Sequence, residues 1–201
     1  MGMRREHLSM ASGWSEILSS MTFSNLRGLS DPKANSLLSA AMKTAHGYAA
    51  NPAGWMVFAG TWGDGKTHML AAIANSQPPR SVWLYTVARD LWAFLGCVAN
   101  PDEGTDYEAR MDLVKSVDLL LLDELGAERP SDAVRERRQR LLEHRYRGAM
   151  ATVFATNAWP LDRLYANQGD GWEDGWLISR LQDRRMCQVC KMPDLDYRRG
   201  S

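Results

Sequence analysis

The chain has 201 residues, of which 45% are apolar and 24% are charged, and its 24 basic and 24 acidic residues give a formal net charge of zero. This length is enough for one well-packed domain, and a zero net charge gives no indication of nucleic-acid binding. No apolar run of about 18 residues occurs, and the opening segment MGMRREHLSM has no continuous apolar core. We therefore expect a cytoplasmic protein with no membrane partner.

Helices and strands are predicted to alternate along the chain. Residues 1–20 are polar and mixed and are predicted to form a short N-terminal arm before one domain at residues 21–199. The predicted strands lie at 55–59, 81–86, 119–122, 151–155 and 186–191. The predicted helices lie at 32–50, 68–74, 87–98, 106–116, 130–147, 161–166 and 176–183, with loops at 99–104 and 168–175. This alternation predicts an α/β fold of three layers around a mainly parallel sheet.

Residues 60–67 read GTWGDGKT and match the phosphate-binding pattern G-x-x-x-x-G-K-[ST] in full. A predicted strand precedes this loop and a predicted helix follows it, which is the context that a P-loop requires. Glycines let successive backbone N–H groups turn toward one phosphate group, and the helix N-terminus adds partial positive charge. A chance glycine-rich turn is the alternative, but it does not explain the flanking elements. The predicted ATP-binding residues are Gly60, Gly63, Asp64, Gly65, Lys66, Thr67 and His68.

A second motif follows at residues 118–124, which read DLLLLDE. Four consecutive leucines are typical of a strand that is buried on both faces of a parallel sheet. Two adjacent acids at the end of such a strand are costly unless they face a metal ion or solvent. We predict that Asp123 and the hydroxyl of Thr67 ligate Mg²⁺, and that Glu124 polarises the water that attacks the γ-phosphate. An ordinary strand end with solvated acids is the alternative, which the neighbouring P-loop disfavours.

Arginines crowd the helix predicted at residues 130–147. A local basic face of this kind could bind a phosphate backbone even on a neutral protein, although a solvated helix face is the slightly favoured alternative. The six arginines are Arg135, Arg137, Arg138, Arg140, Arg145 and Arg147.

The chain has three cysteines, and two of them form the lone CxxC pair Cys187 and Cys190. An odd number of cysteines in a P-loop protein indicates a reducing compartment. A structural zinc site needs four ligands, and no second pair is present. The alternation of residues 186–192 favours a strand over a metal site, and a zinc shared between chains is an alternative without support.

Seven short blocks occur in an order and spacing shared with one family. They are TFSNL at 22–26, GKTHM at 65–69, LLLDELG at 120–126, HRY at 144–146, ATVFATN at 151–157, ISRL at 178–181 and DYR at 196–198. Through these blocks the chain resembles the DnaC/IstB group of AAA+ ATPases. The resemblance covers residues 22–198 and implies an AAA+ ATPase domain at 21–199.

The resemblance also implies roles for single residues. Asn157 matches sensor I, a polar residue that contacts the γ-phosphate or its attacking water. Arg180 matches the arginine finger, whose guanidinium neutralises charge on nucleotide held by a neighbouring subunit, so a ring or spiral homo-oligomer is expected. Two alternatives stay open for Arg145, which is either a second interface arginine or a structural partner of a carboxylate.

Two departures from the family pattern bear on the site and the fold. Asp64 lies where the family has a small or hydroxylated residue, and its carboxylate would repel phosphates if it pointed inward. We therefore expect Asp64 to point to solvent or to an adjacent subunit. The sequence ends soon after residue 198, so no helical lid domain is expected.

The function implied by the resemblance is that of an ATP-hydrolysing protein that assembles on DNA, with single-stranded DNA favoured, and loads a replicative helicase. The alternative is an IstB-like ATPase that recruits a transposase to target DNA. A metabolic P-loop kinase is less favoured, because Glu124 stands beside Asp123 and no acceptor-binding lid is evident. The candidate DNA-facing segments are residues 97–117 and the arginines within 135–147.

Overall fold

A computed structural model describes residues 13–96, 107–128, 131–165 and 175–197. The strands are β1 (Trp55–Ala59), β2 (Trp83–Val87), β3 (Leu119–Asp123), β4 (Ala151–Thr156) and β5 (Cys187–Lys191). The α-helices in these ranges are α1 (Glu16–Ser20), α2 (Pro32–Ala50), α3 (Lys66–Asn75), α4 (Ala88–Gly96), α5 (Tyr107–Lys115), α6 (Asp132–Arg147) and α7 (Gly175–Leu181). A short 3₁₀ helix spans Leu161–Arg163.

The five strands form one sheet in the order β2-β3-β4-β1-β5, and each neighbouring pair is parallel. The α/β prediction is therefore confirmed, and each predicted strand has its counterpart in the sheet. β1, β3 and β4 are buried at every position, which explains why they appear in the sequence as continuous apolar runs. Parallel order places the carboxyl ends of β1, β3 and β4 side by side.

The two faces of the sheet carry two separate apolar cores. Successive side chains of a strand point to opposite faces, so Trp55 and Val57 lie in one core while Met56 and Phe58 lie in the other. The first core also includes residues of α4, α5, α6 and α7, and the second includes residues of α2 and α3. The arrangement is a three-layer sandwich, as predicted.

Local capping determines where two of the helices begin. The Asp31 carboxylate accepts a hydrogen bond of 2.7 Å from the backbone N–H of Ala34, and α2 starts at Pro32. Ser131 caps α6 in the same way, so this helix starts at Asp132 rather than at residue 130. The loop predicted at 99–104, and all but residue 175 of the loop predicted at 168–175, lie outside the described residues.

The described part of the N-terminal segment packs against the domain. The Trp14 ring lies 4.7 Å from the ring of Trp83 and 5.6 Å from that of Tyr85, each in an edge-on arrangement. The Asn75 side chain donates hydrogen bonds to the carbonyl oxygens of Leu18 and Met21, at 2.9 and 2.6 Å. These contacts join α1 to α3, the helix that follows the P-loop.

The two cysteines of the CxxC pair lie on opposite faces of β5. Cys187 belongs to the core that contains Trp55, and Cys190 belongs to the core that contains Met56. Burial raises the pKa of the Cys187 thiol to about 12 and that of Cys190 to about 11. The strand prediction is confirmed, and the two sulfur atoms cannot converge on one metal ion.

Arg145 is fully buried. Its guanidinium donates hydrogen bonds to Thr152 Oγ1 at 2.9 Å and to the carbonyl oxygens of Ala151 and Val117 at 2.6 and 3.0 Å. Burial lowers its pKa to about 10, so the side chain remains charged. Both sequence-based alternatives for Arg145 are wrong: the residue is not exposed at an interface, and it binds carbonyl oxygens instead of a carboxylate. The sequence did not show which acceptors the fold brings near it.

Replacing Arg145 by methionine is expected to lower the free energy of unfolding by about 3 kcal/mol, because buried carbonyl acceptors lose their donors. The measurement is urea-induced unfolding followed by tryptophan fluorescence. Arg147, which is on the same helix and exposed, provides the matched control. Its replacement by methionine is expected to change the stability by less than about 1 kcal/mol. Equal losses in the two variants would contradict a stabilising role for Arg145.

Among the described residues, no helix is both long enough and apolar enough to cross a membrane.

Candidate functional site

A cleft of about 390 Å³ lies at the carboxyl ends of β3 and β4 and beside the loop between β1 and α3. This is the edge of an open α/β sheet at which ligands bind. Most of the predicted site residues meet here. The residues that line the cleft are Met21, Asn25, Leu26, Arg27, Trp62, Gly63, Asp64, Gly65, Lys66, Thr67, His68, Asp123, Glu124, Ala155, Thr156, Asn157 and Tyr197.

The P-loop is shaped by glycines and by close neighbours. Gly63 and Gly65 have left-handed backbone angles of φ 75° and 94°, which glycine adopts without steric penalty. A Cβ at Gly60 would lie 2.2 Å from Asp64 Oδ2 and 2.9 Å from the Cβ of Met192, so a side chain there would have to displace Asp64 from the loop. The backbone N–H of Gly60 donates to the carbonyl oxygen of Thr156 at 3.2 Å, which fixes the loop against β4.

Asp64 points into the P-loop, so the prediction that it faces solvent or an adjacent subunit is wrong. The side chain is 1% exposed, and its Oδ1 lies 2.8 Å from the Lys66 ammonium. Lys66 also donates to the carbonyl oxygen of Thr61. Burial raises the pKa of Asp64, although Lys66 opposes that shift. The inward orientation is possible because an ammonium within the same loop compensates the buried carboxylate.

Thr67 and Asp123 meet across the cleft, as the metal prediction requires. The Thr67 hydroxyl donates to Asp123 Oδ2 at 2.7 Å, and the Tyr85 hydroxyl donates to the same oxygen at 2.8 Å. Burial raises the pKa of Tyr85, and the charge of Asp123 adds to the rise, so the phenol stays a donor. Tyr85 was not predicted as a site residue, because only the pairing of β2 with β3 brings it to Asp123.

Glu124 and Asn157 line the same cleft, and both are exposed. Glu124 has a left-handed backbone with φ 56°, and its N–H donates to Asp123 Oδ1 at 2.8 Å. A non-glycine residue in this region is strained, and such residues concentrate at functional sites. The parallel neighbours β3 and β4 thus bring the two predicted catalytic side chains to one place.

Arg180 is not among the described residues that line this cleft. Its guanidinium stacks over the Trp176 ring at 4.3 Å, donates to the Trp176 carbonyl oxygen at 3.1 Å and lies 3.6 Å from Glu143 Oε2. About a quarter of the side chain is exposed. Arg180 is therefore held at the surface of α7, outside the cleft that the predicted nucleotide-binding residues of its own chain line.

Segments near both ends of the chain contact the P-loop and α3. The Tyr197 N–H donates to the carbonyl oxygen of Gly63 at 3.0 Å, and the Tyr197 hydroxyl donates to the carbonyl oxygen of Arg27 at 3.2 Å. His68 Nε2 lies 2.8 Å from the carbonyl oxygen of Thr22. The sequence contained a signal for these contacts, since the blocks at 22–26 and 196–198 carry the family resemblance, but it assigned them no role.

The arginines of α6 do not form one basic face. Arg138 and Arg145 are buried, so the prediction that they face DNA is wrong. Arg135 lies 2.8 Å from Asp132, and Arg140 lies 2.5 Å from Glu108. Arg147 likewise lies 2.8 Å from Glu143. Helical periodicity turns two of these arginines toward the core, where the fold supplies their partners. Of the candidate segment 97–117, the structure describes residues 107–117.

The donor groups of the cleft fit a nucleoside triphosphate with a hard divalent cation. The N-terminus of α3 and the P-loop ammonium suit phosphate oxygens. Magnesium takes oxygen ligands and is commonly held by one or two protein groups together with substrate phosphates, a requirement that Thr67 and Asp123 meet.

The chain is similar in sequence to one curated relative, the replicative helicase loader DnaI of Bacillus subtilis. The identity is 29% over 133 residues, which cover 62% of this chain and 40% of that protein. The chain therefore spans less than half the length of the relative that it matches. No protein-family model matches the chain.

Solved structures with the same fold include two helicase loaders and one initiator. A crystal structure of DnaI aligns with a TM-score of 0.70 and 21% identity, covering 95% of this chain and 98% of that one. A crystal structure of the DnaC helicase loader aligns with a TM-score of 0.67 and 23% identity, covering 89% of this chain and 99% of that one. The structure of the initiator DnaA bound to AMPPCP and single-stranded DNA aligns with a TM-score of 0.63 and 22% identity, covering 86% of this chain and 49% of that one. These likenesses establish an AAA+ P-loop fold.

Proposed function

We propose that this chain, which has the fold of the DnaC-type AAA+ ATPases, binds and hydrolyses ATP and thereby loads a replicative helicase onto DNA. The observation that carries the proposal is the convergence of Lys66, Thr67, Asp123, Glu124 and Asn157 at one cleft. The similarity to the loaders DnaI and DnaC supports a helicase as the partner.

In this proposal the P-loop amides and Lys66 bind the phosphates of ATP. Thr67 and Asp123 would hold Mg²⁺, with Tyr85 fixing the Asp123 carboxylate by its hydrogen bond. The ion would supply positive charge to neutralise the charge that develops on the phosphate oxygens. The similarity to AMPPCP-bound DnaA supports a nucleoside triphosphate as the ligand.

Glu124 and Asn157 act on the water that attacks the γ-phosphate. Glu124 accepts a proton from this water, and the Asn157 amide orients it, so that the products are ADP and inorganic phosphate. Both side chains are exposed toward the cleft, where a water can reach them. Glu124 is adjacent in sequence to Asp123, so the base would stand beside the carboxylate that would hold the ion.

Arg180 completes the site of a neighbouring copy. Since its own cleft does not include it, the guanidinium acts in trans, which makes hydrolysis depend on assembly into a ring or spiral. The contacts with Trp176 and Glu143 keep the side chain in one orientation. Such a preorganised arginine stabilises transition-state charge without having to be ordered during the reaction.

Single-stranded DNA is the favoured nucleic acid, because the DnaA structure with the same fold holds single-stranded DNA. An IstB-like transposition ATPase is the second candidate, but the similar proteins are helicase loaders and an initiator. A metabolic kinase is a third reading, and such an enzyme would show no stimulation by DNA.

The test is the rate of ATP hydrolysis as a function of protein concentration, with and without single-stranded or duplex DNA. A steep concentration dependence with stimulation by single-stranded DNA is expected from a shared site on a DNA-bound oligomer. A second experiment measures the amount of replicative helicase bound to single-stranded DNA in the presence of ATP, with and without this protein. More bound helicase is expected when the protein is present. Specific activity that is flat and indifferent to DNA would contradict the proposal.

Removing the Asp64 carboxylate is expected to strengthen ATP binding. A buried negative charge at Lys66 competes with phosphate oxygens for the same ammonium, and its repulsion of them is worth about 1 kcal/mol or more in a partly buried site. Asp64→Asn should therefore lower the dissociation constant for ATP about fivefold. A fluorescent ATP analogue provides the measurement.

The control for this variant is Asp194→Asn, which removes an exposed carboxylate that lies 3.3 Å from Lys191. This change is expected to leave the ATP dissociation constant within about twofold, because exposed ion pairs are screened by solvent. Unchanged or weaker binding in Asp64→Asn would mean that the carboxylate supports the P-loop instead of competing with phosphate.

A further inference from the structure

Glu128 has a buried carboxylate that connects the turn after β3 with the layer of helices α4 to α7. It is 4% exposed, and it accepts hydrogen bonds from the Gly126 N–H at 2.9 Å, the Trp92 indole at 3.2 Å and the Tyr165 hydroxyl at 2.6 Å. The guanidinium of Arg138, on α6, lies 3.6 Å away. A carboxylate buried this deeply is retained only when its oxygens are well satisfied, and each of these groups supplies a donor or a charge.

The turn that Glu128 holds contains the proposed general base. Glu124 has a left-handed backbone, which is unfavourable for a residue with a side chain and persists only when its surroundings enforce it. The next residue, Leu125, donates its N–H to the carbonyl oxygen of Ala155 at 2.8 Å, which ties the turn to β4. The Ala127 N–H donates to the carbonyl oxygen of Glu124 at 3.0 Å, and Gly126, at φ 92°, donates its N–H to Glu128. Glu128 thus supplies one of the hydrogen bonds that restrain the turn directly after Glu124.

The rest of the Glu128 environment makes this restraint rigid. Arg138 stacks over the Tyr165 ring at 4.5 Å, so the cation and the phenol that face the carboxylate also contact each other. Trp92 is 1% exposed and lies within the apolar core of the helical layer. The Glu128 carboxylate therefore has little freedom to move, and neither has the Gly126 N–H that it binds.

We propose that Glu128 is a positioning residue for ATP hydrolysis, which keeps Glu124 in its left-handed conformation and thereby keeps the Glu124 carboxylate facing the cleft. The inference rests on the proposed role of Glu124 as general base. Glu128 itself does not line the cleft. Its loss should therefore affect the turnover number and not the affinity for ATP.

The test compares two double variants, of which one keeps a side-chain oxygen at residue 128 and the other removes every acceptor there for Gly126, Trp92 and Tyr165. Glu128→Gln/Arg138→Met keeps an acceptor oxygen, and Glu128→Ala/Arg138→Met lacks one, while neither leaves an unpaired charge in the core. Turnover number, KM and ATP dissociation constant are measured on the full chain at a protein concentration where specific activity has levelled off. Thermal unfolding of both variants verifies that each is folded.

The glutamine double variant is expected to hydrolyse ATP within about threefold of the unchanged protein, and the alanine double variant at least about tenfold more slowly, with ATP affinities within about twofold. Equal turnover in the two would overturn the inference. Should a double variant not fold, Glu128→Asp withdraws the carboxylate by one methylene and keeps its charge. That variant is expected to lose at least about fivefold in turnover, and no loss would overturn the inference equally.

Glu124→Gln, measured in the same experiment, distinguishes a failure of the role proposed for Glu128 from a failure of the role proposed for Glu124. If Glu124→Gln is inactive and the two double variants turn over equally, the positioning role of Glu128 alone is wrong. If Glu124→Gln hydrolyses ATP like the unchanged protein, the proposed role of Glu124 is wrong, and the inference about Glu128 is overturned with it.

Discussion

Replacing Glu124 by glutamine is expected to lower ATP turnover by about 10²–10⁴-fold, because a positioned general base contributes that much to proton transfer. Glutamine has nearly the same shape but cannot accept a proton from water at neutral pH. The backbone of residue 124 keeps its hydrogen bond to Asp123, so the metal and phosphate ligands stay in place. The dissociation constant for ATP should change by no more than about twofold.

The measurement combines steady-state hydrolysis with equilibrium binding of a fluorescent ATP analogue. Glu136→Gln serves as the matched control, because Glu136 is an exposed carboxylate on α6 outside the cleft. The turnover number of Glu136→Gln is expected to stay within about twofold of that of the unchanged protein. Normal hydrolysis by Glu124→Gln would remove the general-base assignment, and lost ATP binding would place Glu124 among the binding groups instead.

Arg180→Ala is expected to bind ATP normally and to lose about 10³-fold or more of the turnover, the range in which arginine fingers contribute. The loss should be confined to the assembled protein, because the arginine does not line its own cleft. Hydrolysis is measured across protein concentrations at saturating ATP, and oligomerisation is followed by light scattering. Oligomers of unchanged size with little turnover are expected.

Mixing Arg180→Ala with Glu124→Gln tests the shared site directly. In a mixed oligomer, an Arg180→Ala subunit contributes an intact Glu124, and a neighbouring Glu124→Gln subunit contributes an intact Arg180. Random mixing of equal amounts across a heterologous interface should restore about a quarter of the full activity. No recovery in oligomers that demonstrably exchange subunits would contradict action in trans.

The control arginine for this experiment is Arg185, which follows α7 and is 87% exposed beside Asp183. Arg185→Ala should hydrolyse ATP within about twofold of the unchanged protein, because the Arg185 guanidinium is exposed to solvent and does not line the cleft. An equal loss of turnover in Arg185→Ala and Arg180→Ala would indicate a general charge effect of this region instead of a specific arginine.

Much of the fold was predictable because local patterns and tertiary requirements agree. Leu119–Leu122 form a continuous apolar run, and the strand that they form is buried on both faces. The P-loop pattern at residues 60–67 requires a strand before it and a helix after it, and β1 and α3 occupy those places. The residues proposed to bind ATP and Mg²⁺ follow from the same two motifs.

Side-chain partners were less predictable, since a sequence does not show which elements become neighbours. Six arginines on α6 resemble a basic face, yet the turn of the helix buries Arg138 against Glu128 and Arg145 against carbonyl oxygens. The sequence likewise marked Asp64 as a charge that phosphate would repel, but not that Lys66 would draw it inward. In each case the partner lies on a different turn of the chain or on a different element.

The sequence by itself determined the α/β class, the phosphate loop and the acidic strand end, because these depend on periodicity and on short motifs whose chemistry is local. Only the tertiary structure decided that Tyr85 donates to Asp123, that Glu128 is buried among Gly126, Trp92 and Tyr165, and that Arg180 lies outside its own cleft. For Tyr85 and Asp123 the physical reason is that parallel strands that are neighbours in space are distant in sequence, so hydrogen bonds between their ends depend on strand order, which no local pattern records. Glu128 and Arg180 depend in the same way on which elements pack around them, since Trp92, Tyr165 and Glu143 lie more than 30 residues away in the chain.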